Sequence, residues 1–154
     1  MEPRTSPPKA RLDTIEQLAS NGIPVGTLLA PMIPGLTDHE IPKIIAAAKD
    51  SGAQFAGRVL LRLPLQVKHL FTERLDRHFP DRKDKVLNHL RSTRDGDLNQ
   101  NEFGKRMRGE GRYASQIHQL FKIACKKAGI QNQSPELSTS HFRPCPNQLD
   151  LFDS

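Results

Sequence analysis

The chain has 154 residues, a net charge of +6, 36% hydrophobic residues, seven Phe, one Tyr and no Trp, a length that holds one domain or one and a half. No apolar run approaches the ~18 residues of a membrane span, and no charged start leads into an apolar stretch as in a secretory leader. The two cysteines, Cys125 and Cys145, form neither a disulfide framework nor a Cys-x-x-Cys pair, so a reduced, cytoplasmic setting with no membrane partner is expected.

Three prolines in the first eight residues bar a helix there. The spacing of Leu12, Ile15, Leu18 and Ala19 predicts a helix over Pro8 to Ser20, with Gly22 as its C′ residue. Ile23 to Ala30 reads as a nearly continuous apolar strand, the pattern of a parallel strand buried on both faces, and Pro31 to Gly35 stops it. Thr37 and Glu40 match a capping box for a helix to about Asp50 that buries Ile41, Ile44, Ile45 and Ala48, closed by Gly52. Phe55 to Leu63 reads as a second strand, ended by Pro64. Crossovers of this kind demand a parallel sheet, so the class is α/β.

Beyond Pro64 the pattern turns helical. One helix is predicted over 65–79, with Val67, Leu70, Phe71 and Leu75 in register. A second, capped by Asp81, runs to about Leu90 and buries Val86, Leu87 and Leu90. Residues 92–104 are polar and loop-like. The clearest helix spans 113–128, with Ile117, Leu120, Phe121, Ala124 and Ala128 in one stripe and Lys126, Lys127 and Gly129 at its end. From Gln131 the chain reads as a polar tail. The organisation is thus 1–64, 65–130 and 131–154.

Charge separates the same segments. Residues 1–64 carry seven Lys/Arg against six Asp/Glu, residues 65–129 fifteen against eight, and residues 130–154 one against three. A basic excess in one segment points to nucleic acid or another polyanion; a solvated helical surface is the alternative. Lys105, Arg106, Arg108 and Arg112 lie in a glycine-flanked loop that leads into the 113–128 helix, and they are the candidate phosphate contacts. A partly disordered connector is the competing reading. Asp95 to Asn99 lacks the glycine and the final Glu of a calcium loop, so a turn is expected there. The six histidines share no ligand spacing. Cys125, on the apolar side of its helix, reads as a buried hydrophobe.

Several segments carry a resemblance. Glu2-Pro3-Arg4-Thr5-Ser6-Pro7, Arg11, Gly22 to Gly26 and Ala30 to Gly35 resemble the radical S-adenosylmethionine (SAM) superfamily, in the branch related to spore photoproduct lyase. Arg62-Leu63-Pro64, Arg91 to Arg94 and Arg106 to Gly109 fit one subgroup of it. The resemblance implies the C-terminal portion of a partial (β/α)6 TIM-like barrel with a helical extension, so the chain is expected to lack the earlier part of the barrel. In the intact family it implies a [4Fe–4S] cluster and SAM, cleaved reductively for radical chemistry, here on nucleic acid as in DNA repair. Glu2, Arg4 and Arg11 would contact SAM; pairing of the two arginines with Glu2 and Asp13 is the local alternative. The Cys-x3-Cys-x2-Cys loop that holds the cluster does not occur in this sequence, so the chain alone is not expected to cleave SAM.

The last segment carries a second resemblance. Gln148-Leu149-Asp150-Leu151-Phe152 is similar to the peptide with which bacterial repair proteins dock on the sliding clamp. Leu151 and Phe152 would be apolar anchors, while Gln148 and Leu149 complete the contact. Folding of these apolar residues back onto the domain is the alternative. The runner-up function is therefore a non-catalytic DNA-binding module recruited to the clamp.

Overall fold

The structure, a computed structural model, describes residues 5–132, 136, 138–140 and 142–143. Helix α1 covers Pro8–Ser20, with Pro8 at its first position, where its missing N–H costs nothing. Its expected face is the right one, with Ile15 against the core, although none of its residues is fully buried. Strand β1 is Gly26–Met32, helix α2 Ile41–Asp50 and strand β2 Phe55–Leu60. The strands pair in parallel, Gly26 opposite Phe55 and Met32 opposite Leu60. The described residues therefore form a mixed α/β architecture around a parallel pair.

β1 starts at Gly26 instead of Ile23, runs through Pro31 to Met32 instead of stopping at Ala30, and is buried on one face only. Leu29 and Met32 point into the core, whereas Leu28 is 63% exposed; the helices packed on the sheet cover the first face and leave the second open. The Thr37–Glu40 capping box does not form. Thr37 Oγ1 accepts the Ile33 amide at 2.9 Å, and the Asp38 carboxylate accepts those of Gly35 and His39. The polar side chains that would cap a helix instead turn back to hold the Ile33–Gly35 loop. A 3-10 turn over Asp38–Glu40 leads into α2, whose second residue, Pro42, has no amide to cap. Ile41, Ile45 and Ala48 are buried there, but Ile44 faces outward. β2 ends at Leu60, short of the expected Leu63, because the carbonyls of Leu60 and Leu61 are taken by the Arg94 guanidinium at 3.1 and 2.9 Å.

Helix α3 spans Val67–His78 and buries Phe71 and Leu75, while Val67 and Leu70 are exposed against expectation. Helix α4, Lys83–Ser92, follows a 3-10 turn over Pro80–Arg82; Asp81 gives no cap, and Val86, Leu87 and Leu90 are buried as expected. Helix α5, Gly111–Ala128, ends on Gly129 in the left-handed conformation at φ 66°. It buries Ala114, Ile117, Phe121, Ala124 and Cys125, with Leu120 and Ala128 half-buried.

Two apolar cores result. In the first, α2 and α5 pack over β1 and β2 through Ile41, Ile45, Leu29, Leu60, Ile117 and Phe121. In the second, α3 and α4 enclose Ile33, Leu36, Leu63 and Leu98. Both cores cross Pro64. The segment read as a tail also begins inside the fold: the Gln131 amide donates to Gln54 at 3.0 Å, and its carbonyl accepts from Ala56 at 2.9 Å. No helix among the described residues is long and apolar enough to cross a membrane.

Candidate anion-binding site

In parallel α/β units the loops after the strands are the usual place for function. After β1, the Asp38 carboxylate accepts the Gly35 amide at 3.0 Å and the Tyr113 hydroxyl. The Tyr113 ring stacks on His89 at 4.0 Å between centroids. The polar groups satisfy one another, so this constellation fastens α5 to the β1 loop. Burial, helped by the hydrogen bond to Asp38, pushes the Tyr113 phenol from 10.0 up to about 12. A raised pKa in the fold stabilises below the unfolded value and is lost above it, so this contribution is present below pH 10.0 and disappears by pH about 12. Tyr113 is the single tyrosine and no tryptophan is present, so tyrosinate absorbance should report this one group. In Asp38→Asn the midpoint is expected to fall part of the way back; an unchanged midpoint would leave burial as the whole cause.

After β2, Arg94 is 1% exposed. Its guanidinium donates to the carbonyls of Leu60, Leu61 and Arg106. The Leu60 amide donates to Met107 at 3.0 Å, and the Glu110 amide to Thr93 at 2.9 Å. These bonds pin the basic loop across the end of β2. Gly111 completes the fit: its φ is 84°, and a Cβ there would sit 2.7 Å from the Ser92 carbonyl oxygen.

The pinned loop brings Arg108 within electrostatic reach of Arg58, which lies on β2 and faces α5. The Arg58 guanidinium lies 5.8 Å from the Phe121 ring centroid, and its Nη2 donates to His118 Nδ1. Nη1 is buried with no hydrogen-bond partner among the described residues. Burial, then Arg108, lowers the Arg58 pKa. Burial, then Arg58, Lys122 and Arg108, lowers that of His118. His118, Lys122 and Lys126 follow at four-residue spacing along the exposed side of α5, about 6 Å apart. Lys122 and Lys126 also border a cleft of about 370 Å³ walled by Cys125, Ile130, Gln131 and Asn132. None of Arg58, Arg108, His118, Lys122 and Lys126 is paired with a carboxylate among the described residues.

The four basic residues expected to act together part company. Lys105 is bridged to Glu102 and Glu110 at 3.0 and 3.4 Å. Arg106 lies over the Phe103 ring at 5.4 Å. Arg112 stands exposed on the first turn of α5, and Arg108 alone enters the cluster. Arg58, His118, Lys122 and Lys126 were missed. The four-residue spacing on α5 was a readable signal for three of them, whereas Arg58 is hidden inside an apolar strand.

Of the residues expected to contact SAM, Arg11 is exposed on α1 and donates to the Ser6 carbonyl at 3.2 Å; Glu2 and Arg4 lie outside the described residues. So do Gln148, Leu149, Leu151 and Phe152. A [4Fe–4S] cluster needs three thiolates. Cys125 is a buried, uncharged thiol whose pKa burial raises, and Cys145 is the only other cysteine. This donor set does not fit the cluster. Among the described residues no group of three or more His, Cys, Asp or Glu could hold a metal ion. No family model, curated protein or solved structure matches the chain.

Proposed function

We propose that this protein binds nucleic acid through its phosphate backbone, along the face made by Arg58, Arg108, His118, Lys122 and Lys126. The observation that carries this reading is the gathering of basic side chains from β2, the loop and α5 with no carboxylate partner among the described residues. Like charges repel, and a row of phosphates relieves the repulsion while releasing counterions. The excess of Lys and Arg in residues 65–129 adds long-range attraction.

Binding of labelled DNA measured across a salt series tests it. The double substitution Arg108→Ala/Lys122→Ala is expected to reduce the slope of log affinity against log salt by about 0.7–0.9 per charge removed. Lys105→Ala should change it little, because Glu102 and Glu110 already neutralise that lysine. Absence of DNA affinity at low salt would sink the reading.

A second reading is the radical SAM relationship. The observation in its favour is the parallel β–α–β unit, with one matching segment, Pro31 to Gly35, spanning the end of β1 and another, Arg62 to Pro64, just after β2. On this reading the unit would be part of a (β/α)6 barrel, and Arg11 would contact SAM. Calorimetric titration with SAM tests it, and no heat of binding, or equal binding by Arg11→Ala, would count against that role.

A further inference from the structure

The basic face is not uniform, and its head has a special geometry. Arg58 is immobilised from two sides, by the Phe121 ring and by His118. That leaves Nη1 as a buried donor with no acceptor among the described residues, a costly state. Arg108 arrives on a loop fixed by the Leu60–Met107 and Glu110–Thr93 hydrogen bonds. His118 and Lys122 approach from α5, one turn apart. Arg58, Arg108 and Lys122 thus surround the His118 imidazole closely enough to act on it electrostatically, which defines one spot.

We propose that this spot is a subsite for a phosphate monoester, such as the terminal phosphate of a nucleic-acid strand. A backbone phosphodiester carries one negative charge, whereas a monoester carries ~1.5–2 at neutral pH and offers three strong acceptor oxygens. Charge and donor count at the head match the monoester. Arg108 supplies a planar fork suited to its oxygens, Arg58 a fixed charge behind it, and Lys122 a point charge. Lys126, a turn further along α5, is placed for the backbone phosphate that follows. The strand-end source rests on the nucleic-acid reading above; the monoester chemistry is shared with phosphorylated small molecules.

The experiment has two arms and uses the full chain. In the first, two labelled single strands, identical except for a terminal phosphate, are compared in near-physiological salt. The phosphorylated strand is expected to bind ~10-fold tighter, the scale of one added charge-assisted contact. The preference should disappear in Arg108→Ala and in His118→Gln, two exposed positions whose variants are first checked for wild-type circular dichroism. In the second arm, inorganic phosphate should shift the His118 ring resonances in a saturable manner. Equal binding of both strands with no His118 shift overturns the subsite, even if salt-dependent DNA binding persists. A strand preference retained in both variants overturns it as well. A saturable His118 shift without affinity for either strand upholds the monoester site, assigns it to phosphorylated small molecules, and removes the nucleic-acid reading instead.

Discussion

Replacement of Arg94 should be among the most damaging single changes in this chain. Its side chain is 1% exposed and satisfies three backbone carbonyls, at 2.7 Å (Arg106), 3.1 Å (Leu60) and 2.9 Å (Leu61). Arg94→Ala leaves these acceptors facing a cavity, and each buried acceptor without a donor costs about 1–3 kcal/mol. A loss of about 3 kcal/mol or more is expected in urea unfolding, after allowance for water entering the cavity. Arg94→Met fills the space but brings no donors, so it should recover only part of that loss. Arg94→Lys keeps the charge but presents one compact ammonium where a fork spans three oxygens, and it too should fail. A wild-type unfolding midpoint for Arg94→Met would show that the carbonyls do not need the guanidinium. Since the same side chain pins Arg106, its loss should also free the neighbouring Arg108 and weaken anion binding.

What was legible in the sequence follows the range of the interactions concerned. The helices over Pro8–Ser20 and Gly111–Ala128, and the left-handed Gly129, are set by local periodicity and end signals. The parallel pairing followed from the two apolar segments and the crossover helix between them. The end of β2 was not legible, because it is decided by Arg94, thirty-four residues away from Leu60. The capping box failed for a similar reason: Thr37 and Asp38 find partners in the Ile33–Gly35 loop, and Asp38 also takes Tyr113 from α5. At the candidate site, charge density points to the loop, and the fold then sends its basic residues to different partners. Lys105 and Arg108 look alike in sequence, and only the fold gives one of them Glu102 and Glu110 and the other Arg58.

Phe121 joins the core to the site, so two substitutions there should separate stability from binding. The ring is 4% exposed in the core shared by α2, α5 and the sheet. Phe121→Ala is expected to cost about 3–5 kcal/mol, through lost burial and the cavity left behind. Phe121→Leu keeps most of the apolar contact and should cost less than about 1.5 kcal/mol. It nevertheless removes the π face beneath Arg58, an interaction worth about 0.5–2 kcal/mol. A guanidinium without that support samples more orientations and loses entropy when it is captured by an anion. Phe121→Leu should therefore remain folded yet bind a phosphorylated strand more weakly, by ~1.5- to 5-fold if half of that contact energy is lost. Chemical denaturation and anisotropy on the same samples read the two effects. If Phe121→Ala lies within about 1 kcal/mol of wild type, α5 is not packed on the sheet as described. If Phe121→Leu binds as tightly as wild type, the ring supports the core alone, and His118 is sufficient to orient Arg58.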